Sequence, residues 1–392
     1  MNILSIETSC DETAISIVKA SGDLLNPSFE LLANALFSQI ELHKQYGGVF
    51  PNLAKREHSK NLVPLLEKVL NESNISMTLN KSCDFEKIKE TLSREVELYE
   101  KLFDFLKTLN NKKPDIDLIV VTEGPGLAPA LWVGISFAKA LSLAWNIKVL
   151  GENHMKGHIV SALEIKDKKS DKEEETNKID FPAIALLISG GHTEIVHMQN
   201  WAEYKILGQT LDDAVGEAFD KVARMLGMPY PGGPEVSKMA KIAREENIEK
   251  KIKLPRPMIK SDDLNFSFSG LKTAVLYTVE KNHLTQEFIK DICREFEESV
   301  TEVLIYKIEK ALVKSDAKTL IVGGGVISNT YIRENLERTI KDKFPNVKLK
   351  IAQKNLTTDN AVMIAMAGYI SFISGKNISS EIKAVGNLKI DR

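Results

Sequence analysis

Two β-hairpins of the same design, one near the start of each half of the chain, constrain the fold more than any other feature of this sequence. The first hairpin predicts apolar strands over residues 2–6 and 14–18, and the second predicts them over residues 181–188 and 194–198. One supersecondary unit that recurs in this way indicates a duplicated domain. At 392 residues the chain is long enough for two lobes with separate cores, and two lobes imply a cleft between them.

The turns of both hairpins contain groups that suit an anionic ligand. The first turn, residues 7–13, includes Asp11 and Glu12, and it is either a solvated loop or a loop that faces phosphate or a metal-bound nucleotide. The second turn contains Ser189, Gly190 and Gly191, and consecutive glycines let a phosphate approach the backbone N–H groups closely. This second pattern favours an anion cradle over a plain tight turn.

Three later segments support a nucleotide site in the second half. Asp220 lies too deep in a predicted helix, residues 212–224, to be an N-cap, and it could hold a ribose hydroxyl. Gly233 belongs to a Pro/Gly loop that could touch a ligand through its backbone, although such loops are often only structural. A strand at residues 319–322 is followed by three glycines and by a helix that begins near Asn329, an arrangement typical of nucleotide sites.

A possible metal site comes from His154 and His158. Histidines four residues apart on a helix project from one face, so both imidazoles can reach the same ion. Spacing alone leaves open that they are unrelated surface or packing residues. The zinc-peptidase motif H-E-x-x-H is absent because Met155 stands where the catalytic Glu would be. Asp359 is either the N-cap of the apolar helix 361–370 or a third ligand from across the cleft.

Composition limits the partners and the compartment. Three scattered cysteines, with no C-x-x-C spacing, predict neither disulfides nor a thiolate metal site. A formal charge of -2 gives no general attraction to nucleic acid, so RNA contact would need a local patch, for which residues 250–272 are the best candidate. The N-terminus has no leader pattern and no apolar run is judged long enough for a bilayer, so we expect a cytoplasmic protein with no membrane partner.

The charge pattern also suggests boundaries between domains. Residues 166–178 contain no hydrophobic side chain and mark a linker or insertion at 166–180 between an N-terminal lobe, 1–165, and a C-terminal lobe, 181–392. The polar stretch at about 71–114 is expected to be an inserted surface segment. On the helix predicted for residues 52–70, the charged neighbours of Arg56 and His58 favour a solvated face, with contact at the edge of a substrate as the alternative.

Taken together, these motifs resemble those of the TsaD family of tRNA threonylcarbamoyladenosine biosynthesis proteins, and the resemblance extends over nearly the whole chain. It depends on the segments 6–13, 124–127, 154–158, 189–193, 212–221, 230–234, 268–273 and 324–326, and on Asn329 and Asp359. The chain departs from the family pattern at Asn52, Glu123 and Pro129.

The resemblance implies an α/β fold of two actin-like lobes, of the ribonuclease H-like class, with a central cleft. It implies transfer of a threonylcarbamoyl group from threonylcarbamoyl-AMP to N6 of the adenosine at position 37, just 3′ of the anticodon, in tRNAs that read codons beginning with A. Family partners are TsaB and TsaE. The implied metal ligands are His154, His158 and Asp359, for iron(II) or zinc. The implied adenylate contacts are Leu187, Ile188, Ser189, Gly190, Gly191, Asp220, Gly233 and Asn329.

Because an acyl-adenylate is already activated, catalysis here consists mainly of aligning a weak amine nucleophile with the carbonyl and stabilising charge. We expect Asp11 or Glu12 to manage the amine proton. Two other classes stay open: an actin-like ATPase or sugar kinase, which would not need the two histidines, and a catalytically silent scaffold subunit.

Overall fold

The computed structural model describes residues 1–80, 83–167, 177–378 and 381–391, which form two large β-sheets with helices packed against them. The strands of the first part are β1 (Asn2–Glu7), β2 (Glu12–Gly22), β3 (Pro27–Ser38), β4 (Met77–Leu79), β5 (Lys112–Pro114), β6 (Leu118–Gly124), β7 (Lys148–Asn153) and β8 (Lys166–Asp167). The helices of that part are α1 (Ile40–Lys44), α2 (Pro51–Ser73), α3 (Phe85–Thr91), α4 (Val96–Thr108), α5 (Ala128–Trp145) and α6 (His154–Val160).

The second part is built in the same manner, with longer helices. Its strands are β9 (Ala183–Ile188), β10 (Thr193–Met198), β11 (Tyr204–Gln209), β12 (Thr319–Gly323) and β13 (Lys348–Ile351). Its α-helices are α7 (Val215–Met225), α8 (Gly232–Glu245), α9 (Ser269–Glu280), α10 (Gln286–Ser315), α11 (Thr330–Lys343) and α12 (Ala361–Ile373).

The two large sheets share one topology. The first has the order β7-β6-β1-β2-β3-β8, and the second, read in the same sense, has the order β13-β12-β9-β10-β11. In each sheet the opening hairpin is antiparallel, and its first strand pairs on the other side with a parallel strand. Parallel neighbours require a crossover connection, which the intervening helices provide. Five strands therefore repeat in the same order, and the predicted duplication is confirmed.

Helix α12 packs between the sheets and joins the two lobes. It is apolar on all sides, and Ala361 to Ser371 are all buried. A helix of this kind has to be covered on every face. One side packs against β1 and β2 of the first sheet, and the same hydrophobic cluster includes Ala183 and Ala185 of the second sheet.

The predicted domain boundaries need two corrections. Lys166 and Asp167 pair with β3 as strand β8, so they belong to the first sheet and not to the linker predicted at 166–180. Helix α12, which the prediction placed in the C-terminal lobe, packs against the first sheet as well. Residues 168–176 of the predicted linker lie outside the described residues.

The stretch predicted as an inserted surface segment, 71–114, contributes to the first core. Helices α3 and α4 bury Ile88, Leu98 and Leu102 in the cluster that also contains Leu66 of α2 and Trp145 of α5. The alternation of lysines with single apolar residues concealed this role, because each short helix buries only one narrow stripe. Residues 81–82 lie outside the described residues.

Helix α5 requires a correction to the membrane expectation. Among the described residues it is the one helix long and apolar enough to cross a bilayer, so the expectation that no run reaches that length is wrong. In this structure 61% of the helix is buried, and Phe137 and Trp145 are fully enclosed. Burial against α2 and β6 accounts for its apolar composition.

The basic segment suggested for RNA contact does not form a free cationic surface with exposed aromatic rings. Phe266 and Phe268 are both fully buried. Arg256 makes two hydrogen bonds of 2.8 Å to Glu302, and Lys250 lies 2.7 Å from Glu298, so acidic residues of α10 neutralise part of the patch. Without accessible rings this segment offers no stacking platform for bases.

Candidate functional site

The structure brings His154, His158 and Asp359 together, although the aspartate is about 200 positions from the histidines in the chain. The Nε2 atoms of both histidines lie 3.2 Å from Asp359 Oδ1. One potential ligand atom from each residue can be chosen so that all three lie within 4.8 Å of one another. Both histidines are less than 10% exposed, so they are not surface residues, and their shared approach to Asp359 argues against unrelated packing residues.

Local structure explains how each of these side chains is placed. Asn153 caps α6, since its Oδ1 accepts a 2.8 Å hydrogen bond from the Met155 amide, and His154 and His158 then face the same way one turn apart. At α12 the N-cap is Asn360, whose Oδ1 accepts from the Met363 amide at 2.9 Å. Asp359 is therefore not the cap, and its carboxylate is free to point towards α6.

Glu7 forms a hydrogen bond with the imidazole of His154, and the sequence analysis did not predict it as a site residue. Its Oε2 accepts hydrogen bonds from His154 Nδ1 at 3.0 Å and from Thr122 Oγ1 at 2.6 Å, while Oε1 accepts from the Ser9 amide at 2.6 Å. A carboxylate on Nδ1 fixes the tautomer in which Nε2 has its lone pair free. The available signal was an acidic residue at the end of an otherwise apolar strand.

The donor set fits a divalent transition-metal ion. Neither ring nitrogen of the fully buried His158 has a hydrogen-bond partner among the described residues, even though Nε2 is only 3.2 Å from Asp359 Oδ1. Buried nitrogens are almost always satisfied. The close approach of His158 Nε2 to Asp359 Oδ1 without hydrogen-bond geometry therefore indicates that these two atoms share a target. Two imidazoles and one carboxylate form the facial set typical of iron(II), and zinc accepts similar ligands.

The protonation states of His158 and Asp359 agree with this assignment, whereas His154 must lose a proton to bind a metal ion. Burial lowers the pKa of His154, but the carboxylates of Asp359 and Glu7 outweigh burial and raise that pKa well above its usual value. Burial lowers the pKa of His158 and keeps this imidazole neutral. Burial also raises the pKa of Asp359, but the two histidines outweigh it and hold that pKa well below its usual range. A neutral imidazole and an ionised carboxylate are the forms that bind metal.

Gln in place of Glu7 is expected to weaken metal binding by about 10-fold to 100-fold, the range typical for loss of a partner behind a metal-bound histidine. The amide keeps the shape but loses the charge that orients His154 Nδ1–H. Competition with a chromogenic chelator measures the affinity. Glu123→Gln, which removes a carboxylate 3.6 Å from Lys376 and away from the histidines, should leave it unchanged. Equal losses in the two variants would contradict the role of Glu7.

Asp11 and Glu12, the predicted catalytic carboxylates, lie in a turn that is buried and not solvated. Both are less than 10% exposed, so the solvated-loop alternative is wrong. Burial, together with the charges of Asp11 and Asp359, raises the pKa of Glu12 well above its ordinary value. Burial and the charge of Asp11 also raise the pKa of Tyr230 in the second lobe. The acidic turn therefore lies close enough to Asp359 and to Tyr230 of the second lobe for their charged forms to interact with it.

A cavity of about 690 Å³ lies in the second lobe beside the glycine turns. Four of the predicted adenylate contacts line it: Gly190, Asp220, Gly233 and Asn329. Leu187 and Ile188 do not, because their side chains are fully buried in the cores on either side of β9. Ser189 and Gly191 are beside the lining residue Gly190 in the turn but are not themselves part of the wall. A methyl group on Gly190 would meet no atom within 4 Å, so this turn faces open space.

Hydrogen bonds already occupy part of Asp220 and Asn329, the two polar side chains of this cavity that the sequence predicted as adenylate contacts. Asp220 Oδ1 accepts from the Gly232 amide at 2.7 Å, which anchors the start of α8. Asn329 Oδ1 caps α11 through the Ile332 amide, and its Nδ2 donates to Glu297 at 2.6 Å. The two residues therefore shape the cavity as well as line it.

The outer wall of the cavity contains a stacked cation that the sequence did not indicate. The Arg244 guanidinium lies 3.6 Å from the centre of the Tyr331 ring. Its Nη1 donates to the fully buried Glu297 at 2.6 Å. These residues come from α8, α10 and α11, so only the tertiary fold brings them together. A flat arginine–tyrosine pair offers a planar surface suited to a planar ligand.

Two lobes with duplicated sheets, an interlobe helix and a cleft define an actin-like protein. The solved structure of full-length HypF in its phosphate- and nucleotide-bound form shares this fold, with a TM-score of 0.50 and 10% identity over 95% of this chain and 46% of that chain.

The chain belongs to the TsaD family, tRNA N6-adenosine threonylcarbamoyltransferase, whose family model matches residues 30–81 and 96–366. A relative of that name from Thermosipho africanus is 40% identical over 100% of both chains. Another from Nitrosospira multiformis is 40% identical over 97% of this chain and 94% of its own. A third, from Bacillus cereus (strain ATCC 14579), is 39% identical over 99% and 96%. The resemblance drawn from the motifs is thus confirmed: the protein is a tRNA-modifying transferase of the threonylcarbamoyladenosine pathway.

Proposed function

We propose that the enzyme transfers the threonylcarbamoyl group from threonylcarbamoyl-AMP to N6 of adenosine 37 in tRNAs that read codons beginning with A. We also propose that it does so with one divalent metal ion, iron(II) in preference to zinc. The observation that supports this most strongly is the convergence of His154, His158 and Asp359 on one point. His158 also lies against Gly323, the last residue of β12, two residues before the cavity-lining Gly325, so the metal site and the cavity are neighbours.

In this proposal one set of residues binds the adenylate and the metal, and another accepts a proton. The cavity would hold the adenylate, with the backbone of the Ser189-Gly190-Gly191 turn next to its phosphate and the Arg244–Tyr331 pair next to its base. His154, His158 and Asp359 would hold the metal. When bound there, a divalent ion supplies a Lewis acid for the threonylcarbamoyl carbonyl.

Transfer requires the N6 amine to form a bond to the carbamoyl carbon as the bond to the AMP phosphate oxygen breaks. The amine loses one proton in this step, and a carboxylate of the acidic turn, Asp11 or Glu12, would accept it. Burial and the charges of Asp11 and Asp359 raise the pKa of Glu12, which increases the proton affinity of its carboxylate. Burial of the turn keeps competing water away from the activated donor.

The decisive test supplies purified protein, loaded with iron(II), with zinc or with no metal, with synthetic threonylcarbamoyl-AMP and a tRNA transcript that decodes an A-initial codon. Mass spectrometry of the digested tRNA scores the modified nucleoside. We expect the product only with metal-loaded protein, and none on a matched transcript with guanosine at position 37.

The same assay tests the proposed partners, because TsaB-like and TsaE-like proteins are added singly and together. Absence of product in every combination, with ATP hydrolysis in its place, would favour an ATPase. The proposed cytoplasmic location is checked by cell fractionation.

A further inference from the structure

A chain of hydrogen bonds leads to the acidic turn, residues 7–13, and ends at its backbone. Phe50 N lies 3.2 Å from His43 Nδ1, and His43 Nε2 lies 3.1 Å from Gln39 Oε1. Gln39 Nε2 is 3.4 Å from His58 Nδ1, and His58 Nε2 is 3.0 Å from the carbonyl oxygen of Cys10. Cys10 directly precedes the two predicted catalytic carboxylates. We call these three side chains, His43, Gln39 and His58, the relay.

The ends of the relay set the direction of every bond in it. A backbone amide can only donate, so His43 accepts at Nδ1 and donates from Nε2 to the Gln39 oxygen. A carbonyl oxygen can only accept, so His58 donates from Nε2, and its Nδ1 accepts because the Gln39 amide nitrogen that faces it can only donate. At that nitrogen His58 receives Thr13 Oγ1–H at 2.7 Å as well as the Gln39 amide. The polarity is consistent from one end to the other only when both histidines are neutral.

Burial maintains that state. His43, His58 and Gln39 are all fully buried. Burial lowers the pKa of His58 to about 4, and it also lowers the pKa of His43. The interpretation of His58 as part of a solvated helix face is therefore wrong: α2 turns this residue inwards against β2 and β3, while Arg56 remains largely exposed.

The far end of the relay lies in a loop that the second lobe contacts. Arg224, on the same helix as the cavity residue Asp220, donates a hydrogen bond to the Gly47 carbonyl. Gly47 is three residues before Phe50, whose amide begins the relay. These contacts thus connect the second lobe, which contains the cavity, to the backbone of the acidic turn.

We propose that His58 is a positioning residue that holds the Cys10 carbonyl, and with it Asp11 and Glu12, in the geometry that transfer requires. This inference rests on the proposed function of those carboxylates and adds the residue that orients them. Without His58 Nε2–H the Cys10 carbonyl loses a buried donor, and the turn can shift. Displacement of a catalytic group by about 1 Å costs up to about 100-fold in rate.

The test compares His58→Gln with His58→Asn. The Gln side-chain nitrogen reaches the position of imidazole Nε2 and can still donate to Cys10, whereas the Asn nitrogen falls at the position of Nδ1. We expect kcat for transfer from preformed threonylcarbamoyl-AMP to fall about 100-fold in His58→Asn. In His58→Gln it should stay within about threefold of the parent. KM for tRNA and metal affinity should be unchanged in both, because the relay touches neither the triad nor the cavity.

Asn61→Ala is the control on the same helix, since Asn61 only donates to its own helix at Glu57 O. It should match the parent protein in kcat. Equal kcat in His58→Asn and the parent would overturn the proposal, as would equal losses in the Gln and Asn variants. A parent enzyme without transfer activity would refute the proposed function instead, so the two failures are distinguishable. Thermal unfolding of each variant confirms that the compared proteins are folded.

Discussion

Alanine at position 359 is expected to reduce transfer by about 1,000-fold, because a metal ion acting as Lewis acid contributes several kcal/mol to the transition state. Asp359 supplies the one anionic oxygen of the site, 3.2 Å from both histidine nitrogens. Its loss leaves two imidazoles on a short helix and no ligand from the segment that precedes α12. Single-turnover transfer with preformed threonylcarbamoyl-AMP measures the rate, and elemental analysis of the same sample measures bound metal.

Two companion variants separate loss of the ligand from damage to the helix start. Thr358→Ala changes the exposed neighbouring side chain and should retain both metal and rate. Asp359→Asn keeps the shape at the start of α12, where Asn360 remains the cap, but removes the charge. It should therefore be as stable as the parent and still bind metal weakly. A metal-loaded Asp359→Ala protein with the parent rate would refute the role of the triad.

Local patterns explain why much of this site could be predicted. The hairpins follow from apolar strands and small-residue turns within about 20 positions, and their register depends on neighbours in the chain. His154 and His158 share a face because of helix periodicity alone. Asp359 was different: sequence physics left it as either a cap or a ligand, and only the motif resemblance favoured the second. The geometry now shows why, since Asn360 takes the cap.

What could not be predicted depends on which face of an element the rest of the chain covers. Charged neighbours suggested that His58 was solvated, yet α2 buries one face against the sheet and leaves the other in water. Glu7 was part of a quoted motif, but its partner His154 is 147 positions away. Arg244, Glu297 and Tyr331 come from three helices, and no spacing within any one of them indicates the pair they form across the cavity.

A methyl group on Gly323 is expected to displace α6, the helix that carries His154 and His158. The added Cβ would lie 2.2 Å from the carbonyl oxygen of His158 and 2.9 Å from its carbonyl carbon, far inside contact distance. Both atoms are backbone, so no rotamer change relieves the clash and α6 has to move. Gly323→Ala should reduce the free energy of unfolding by about 1–3 kcal/mol, the usual cost of overpacking. It should also weaken metal binding by at least about 10-fold, as loss of ligand orientation does.

Gly325→Ala is the matched control in the same glycine run, because an added Cβ there meets no atom within 4 Å. Chemical denaturation and metal titration of the two variants distinguish two reasons for the glycine run. If the run served only to bring backbone close to a nucleotide, Gly325, which lines the cavity, would be the sensitive position and Gly323 the tolerant one. The packing predicts the reverse for stability and metal affinity. Gly323 is where the second sheet meets the helix that carries both histidines, so the distance between the lobes at that point sets the position of His158 relative to Asp359.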